Sequence, residues 1–117
     1  MSAESLEIRI RKEAIAWTEE LSMQSDAIVS KTLVDQKTGT ITVFAFDDGQ
    51  SLSEHTAPFD AFVHILSGEM KITLAGKEVR VKESQSLIMP ANVPHALAAK
   101  GPTRMLLVMI KSTWGKR

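Results

Sequence analysis

The sequence predicts an all-β fold, a small jelly roll, sandwich or barrel behind a short N-terminal arm. Three observations carry this reading. From residue 26 onward, about eight short runs rich in β-branched and apolar residues recur at roughly 8–12 residue spacing. A turn signal stands at each break between them. No helical run is long enough to serve as a crossover between parallel strands, so the pairing should be antiparallel. At 117 residues the chain is long enough for one core and too short for two.

In chain order, "AIVSKTLV" is β-branched and ends in "DQKTGT", a polar turn with Gly39. "TITVFAF" alternates and stops at "DDGQ", where Asp and Gly both tolerate the left-handed backbone of a turn. "AFVHIL" follows and is closed by "SGE". "MKITL" and "EVRV" flank a tight turn at "AGK". "SLIMP" and "HALAA" are separated by "ANVP", and "TRMLLVMI" is the last strand before the tail "KSTWGKR". Residues 1–25 differ. "RKEAIAWTEELS" places Ile15 near Glu19 and Trp17 near Leu21 at helical spacing, so this arm is either a short helix or an irregular segment with one strand in "LEIRI". The expected organisation is an arm at 1–25 and a barrel at 26–117.

Composition narrows the function. The chain is 44% hydrophobic and 24% charged, with zero formal net charge. Phosphate binding needs clustered Lys and Arg, which are missing, so nucleic acid is not an expected partner. The absence of cysteine removes disulfides, thiol catalysis and thiolate metal sites. No run approaches the ~20 apolar residues of a membrane span. The N-terminus lacks the apolar core of a secretion signal. A cytoplasmic protein without a membrane partner is expected.

The residues between about 26 and 111 resemble the cupins, small double-stranded β-helix barrels. The first motif of that family, G-x5-H-x-H-x3,4-E-x6-G, is matched here by Gly49, His55 and Gly68, while Ala57 stands at the second histidine and Ala61 at the glutamate. The second, G-x5-P-x-G-x2-H-x3-N, is matched by Pro90 and His95, with Ser84, Asn92 and Ala99 at the two glycines and the asparagine. "SEHTAPFDA" and "IMPANVPHAL" are similar to small single-domain cupins of the conserved-barrel type. The resemblance implies a jelly-roll-like barrel, a sheet-packed homodimer, and a metal held by three histidines and a glutamate. Half of those ligands are replaced here, so the metal motif is degenerate.

Side chains alternate across a strand. With the family's alignment, Ala61, Val63 and Ile65 point into the barrel, and His64 faces the second sheet or a partner subunit. His55 and His95 are either metal ligands or polar residues satisfied by hydrogen bonds. Two imidazoles suit zinc, copper, iron or nickel, and manganese is open by family analogy, but two protein ligands are fewer than a catalytic zinc site uses. Asp60 is the best extra ligand if a bulge turns it inward, although a backbone hydrogen bond after Pro58 is the simpler role. Asn92 can take the left-handed conformation of the glycine it replaces, and Pro94 fixes the backbone just before His95.

Alanine at 57 and 61 leaves room. The expected ligand pocket is formed by His55, Val63, Ile65 and His95, with some of Met70, Met89, Met105 and Met109 either lining it or filling core gaps. Trp17 and Trp114 suit a dimer interface or the open end of the barrel. The favoured function is binding of a small molecule in the barrel interior with weak or no metal. The alternative is a metal-dependent enzyme, dioxygenase- or isomerase-like by family analogy, that uses His55 and His95. A purely structural module is the third possibility.

Overall fold

The computed structural model describes residues 4–111. Two one-turn helices, α1 (Leu6–Arg9) and α2 (Trp17–Glu20), precede nine strands: β1 (Ile28–Gln36), β2 (Gly39–Phe46), β3 (Ser51–His55), β4 (Asp60–Ser67), β5 (Glu69–Leu74), β6 (Lys77–Lys82), β7 (Ser86–Met89), β8 (His95–Ala99) and β9 (Thr103–Ile110). They form a five-stranded sheet in the order β1-β2-β9-β4-β7 and a four-stranded sheet in the order β3-β8-β5-β6. Every pairing is antiparallel, as the lack of crossover helices requires. No helix among the described residues is long and apolar enough to cross a membrane.

Eight of the nine strands coincide with the runs read from the sequence. The ninth, β3, escaped because "SLSEH" carries one large apolar side chain, Leu52, and its other four residues are exposed. It is an edge strand bonded only to β8, and hydrophobic periodicity cannot mark a strand that buries so little.

The barrel core lies between the sheets. Phe46, Val63, Ile65, Met70, Ile72 and Met105 are all essentially inaccessible there. The inward parity of β4 is as expected: Ala61, Val63 and Ile65 are buried and Phe62 is exposed. His64 does not face the second sheet. It sits on the outer surface of the five-stranded sheet, its ring parallel to that of Phe62 and its Nδ1 2.7 Å from Ser86 Oγ.

A second core lies on the outer side of the five-stranded sheet, away from the barrel interior. Leu6 and Leu21 from the arm bury Leu33, Val43 and Ala45, with Ile10, Ile15 and Trp17 packed around them. The short helix expected within "RKEAIAWTEELS" is present as the single turn α2, whereas "LEIRI" is not a strand: its first four residues form α1. The strand reading failed because Leu6 and Ile10, one helical turn apart, both serve this small core, a 3.6-residue spacing that α1 satisfies. Trp17 packs on the outer sheet face rather than over the barrel's open end, and Trp114 lies outside the described residues. β2 is apolar at every position from Val43 to Phe46 because both its faces are covered, Val43 and Ala45 by the arm and Phe44 and Phe46 by the barrel.

Polar bonds hold the arm. The Arg9 guanidinium donates two hydrogen bonds to Glu20, at 2.8 and 2.6 Å, and Arg104 Nε–H donates to Leu21 O at 2.7 Å. The hydrogen bond from Arg9 holds the Glu20 carboxyl below its usual range, and Arg80 does the same to Glu69 across β5 and β6. A depressed folded-state carboxyl adds stability above its unfolded value and loses it as pH falls through the folded one. The unfolding midpoint should therefore drop on acidification below about pH 4.5, and Glu20→Gln should flatten that part of the profile. Both pairs are solvent-accessible, so the effect should be small and should shrink in salt.

Among the described residues four non-glycine ones have positive φ, including Ser84 at +68° and Asn92 at +65°. Both occupy positions where the resemblance places glycine. Asn92 tolerates this conformation, and serine tolerates it less well. Ser84→Gly should raise stability by about 0.5–1 kcal/mol, the strain relieved less the entropy that glycine loses on folding. Denaturant unfolding with an unchanged slope would show it.

Candidate functional site

β3 and β8 are neighbours, and their register sets His55 directly opposite His95. Their Nε2 atoms lie 3.0 Å apart, with ring centroids at 4.2 Å and planes at 69°. Each ring is anchored through its other nitrogen. His55 Nδ1 is 2.8 Å from Ser53 O, and His95 Nδ1 is 3.2 Å from Val93 O. His95 is buried and His55 exposed, so the pair runs from the pocket interior to its mouth.

The loop that carries His95 is tied to the turn that follows His55. Asn92 N–H donates to Ala57 O at 2.8 Å, and Ala91 N–H donates to Asp60 Oδ1 at 2.9 Å. Pro94 O accepts from Ala75 N–H at 2.9 Å. Asp60 thus fixes backbone of the β7–β8 loop, a longer reach than the local turn bond expected of it. It forms no metal-holding group with the two imidazoles among the described residues. Among the described residues no group of three or more His, Cys, Asp or Glu is placed to hold a metal ion. The donor set present does not fit the three-histidine, one-glutamate site that the resemblance implies.

Ala57 and Ala61 open a cavity of about 60 Å³ beneath the pair. Its walls are Phe44, Leu52, Leu97 and Leu107, with Met89, Met105 and Met109. Val63 and Ile65, expected in this wall, are wholly enclosed in the core instead. They share the inward parity of Ala61 but lie further along β4, away from the mouth that His55 marks. Met70 is likewise core; Met89 and Met105 belong to the same core and also line the cavity, as does Met109. Phe44 and Leu107 were missed. Alternation in β2 and β9 puts both on the inward face, but which inward residue reaches the cavity depends on cross-strand register. The chemistry available is narrow: an apolar chamber with two imidazole nitrogens at one end.

A family profile described as Cupin domain matches residues 42–111. A conserved protein of unknown function from Streptococcus pyogenes superimposes with a TM-score of 0.82 at 42% identity, over 86% of this chain and 89% of that one. A cupin 2 conserved barrel domain protein from Leptotrichia buccalis gives 0.78 at 41% identity, over 80% of this chain and 46% of that one. The tetracenomycin polyketide synthase protein TcmJ of Streptomyces glaucescens is 22% identical over 101 residues, which are 84% of this chain and 68% of that protein.

Proposed function

The chain belongs to the Cupin domain family, and on that premise we propose that it binds a small, mostly apolar organic molecule in the barrel. The observation that carries this is the cavity itself, apolar on every side except where His55 and His95 converge. Apolar pockets with a few placed polar groups are the usual form of small-molecule sites. A ligand with one hydroxyl, enolic or phenolic, would place its O–H against an imidazole nitrogen and its hydrocarbon against the methionines. The polyketide context in the name of TcmJ makes small phenols and enols the first compounds to screen. The metal-dependent enzyme alternative needs ligands that Ala57, Ala61 and Asp60 do not supply, and nothing in the site favours it. A cytoplasmic location belongs to the same proposal.

The test is a thermal-shift and calorimetric screen of hydroxylated aromatic fragments against wild type and Ala57→Leu, which fills the cavity. Fragments that stabilise wild type and leave the filled variant unmoved support the reading. No binder in wild type, or equal binding by the variant, defeats it.

The homodimer that the resemblance implies is also a proposal. Beyond the reach of the arm, the outer face of β4, β7 and β9 leaves Phe62, Ile88 and Ile110 exposed at 38%, 55% and 53%, an apolar surface suited to a second copy. Sedimentation should show a dimer that Ile88→Glu dissociates; a monomeric wild type ends the idea.

A further inference from the structure

We propose that the ligand of the barrel is an acid: a small organic molecule whose hydrocarbon end enters the cavity and whose carboxylate is held at the mouth by Lys111. The inference deepens the small-molecule reading and rests on it. Cavity size comes first. A volume of about 60 Å³ is well under the ~150 Å³ of an engineered cavity that takes up benzene. For anything larger than a few heavy atoms, the cavity seats one end of the ligand and leaves the rest at the opening. The groups around the opening then decide what that rest can be.

Register places Lys111 there. Met109 and Ala61 are a cross-strand pair, and both line the cavity. The β2–β9 ladder runs one step past Ile110, because Lys111 N–H donates to Thr38 O at 2.8 Å. Alternation therefore carries the Lys111 side chain to the same face as Met109. Its step along the barrel leads away from the enclosed Val63 and Ile65, toward the end that the exposed His55 marks. Phe59 occupies the matching step beyond Ala61, and the Lys111 ammonium lies 5.9 Å from the centre of its ring.

Charge selects the ligand's head. Among the described residues Lys111 makes no ion pair, and an aromatic face offsets only part of an ammonium's charge. Asp60, between Phe59 and Ala61 in sequence, alternates away from them and accepts Ala91 N–H at 2.9 Å. The lysine therefore presents three donors and a full positive charge beside an apolar opening. A carboxylate balances that charge one for one. A phosphate would leave negative charge uncompensated against apolar walls. One molecule can then satisfy all the groups, with its hydrocarbon against Met89 and Met105 and its carboxylate on Lys111.

The test uses one hydrocarbon with three heads: 3-methylbutanoate, its neutral amide and 3-methylbutanol. Each is titrated into the full chain while the methionine methyl NMR signals are followed. All three should move the same signals. The acid should bind about fivefold more tightly than the amide, the upper end for an ion pair with one side in water. High salt should bring that ratio toward one. In Lys111→Met, which keeps the apolar stem and removes the charge, the ratio should fall to about one. Equal binding of acid and amide by wild type, a ratio unmoved by salt, or a ratio kept in Lys111→Met would each overturn the inference. The first two readings need no variant, so they hold even if Lys111→Met fails to fold. If no head moves the signals, the small-molecule reading falls and this inference falls with it. If the alcohol binds and the acid is no tighter than the amide, that reading stands and only the carboxylate is withdrawn.

Discussion

Gly68→Ala is expected to destabilise the protein by about 3–5 kcal/mol, from backbone strain and overpacking together. Gly68 joins β4 to β5 with φ +88°, a conformation that L side chains rarely adopt. A Cβ there would run into Pro102 O, and would lie 2.7 Å from Thr103 Oγ1 and 2.9 Å from Thr103 Cα. Two of those three atoms are backbone. The third belongs to a fully buried threonine whose hydroxyl is 3.0 Å from both Glu69 O and Gly101 O. None of them can move aside cheaply. Gly76, at φ +82° in the β5–β6 turn, has nothing within 4 Å of its would-be Cβ, so Gly76→Ala should cost only the conformational term, about 1–2 kcal/mol. Urea unfolding of the two variants separates strain from collision. If Gly68→Ala loses no more than Gly76→Ala, the close approach of the β4–β5 turn to Thr103 does not limit that position.

How far the sequence could be read follows from which signals are local. The spacing of Gly49, His55, Gly68, Pro90 and His95, together with the rhythm of turns, was enough for the fold. Asn92 at a glycine position predicted its own backbone conformation, and the alternation in "AFVHIL", read with the family's alignment, predicted which face of β4 is buried. What stayed hidden depends on register between distant strands. Ala61 lying between Met89 and Met109, and His55 lying opposite His95, are facts of pairing across the barrel that no short window contains. Asp60 bonds Ala91, 31 residues away, where a local turn bond was the natural expectation. The arm was misread in part because its segments are each one helical turn long, and such pieces are held by packing rather than by propensity.

The arm yields the second large effect. Leu21→Ala should cost about 2–5 kcal/mol, the range for emptying a fully buried leucine site. Leu21 is completely inaccessible, in contact with a cluster that includes Leu6, Leu33, Val43 and Ala45, and its carbonyl receives Arg104 Nε–H from β9. The apolar run "VFAF" in β2 gives the reason for the size. An antiparallel strand with one face in water would alternate, whereas β2 is apolar on both faces and needs the arm as much as it needs the barrel. The loss should therefore appear as lower stability of the whole domain and not as local fraying. Trp17 packs against the arm cluster, and its fluorescence, isolated in a Trp114→Phe background, reports on the arm, while far-UV circular dichroism reports mainly on the sheets. Coincident transitions, both shifted to lower denaturant in Leu21→Ala, would show that arm and barrel unfold as one unit. An early fluorescence transition with the sheet transition unmoved would mean that the outer core is an appendage, and that Val43 and Ala45 tolerate exposure at little cost.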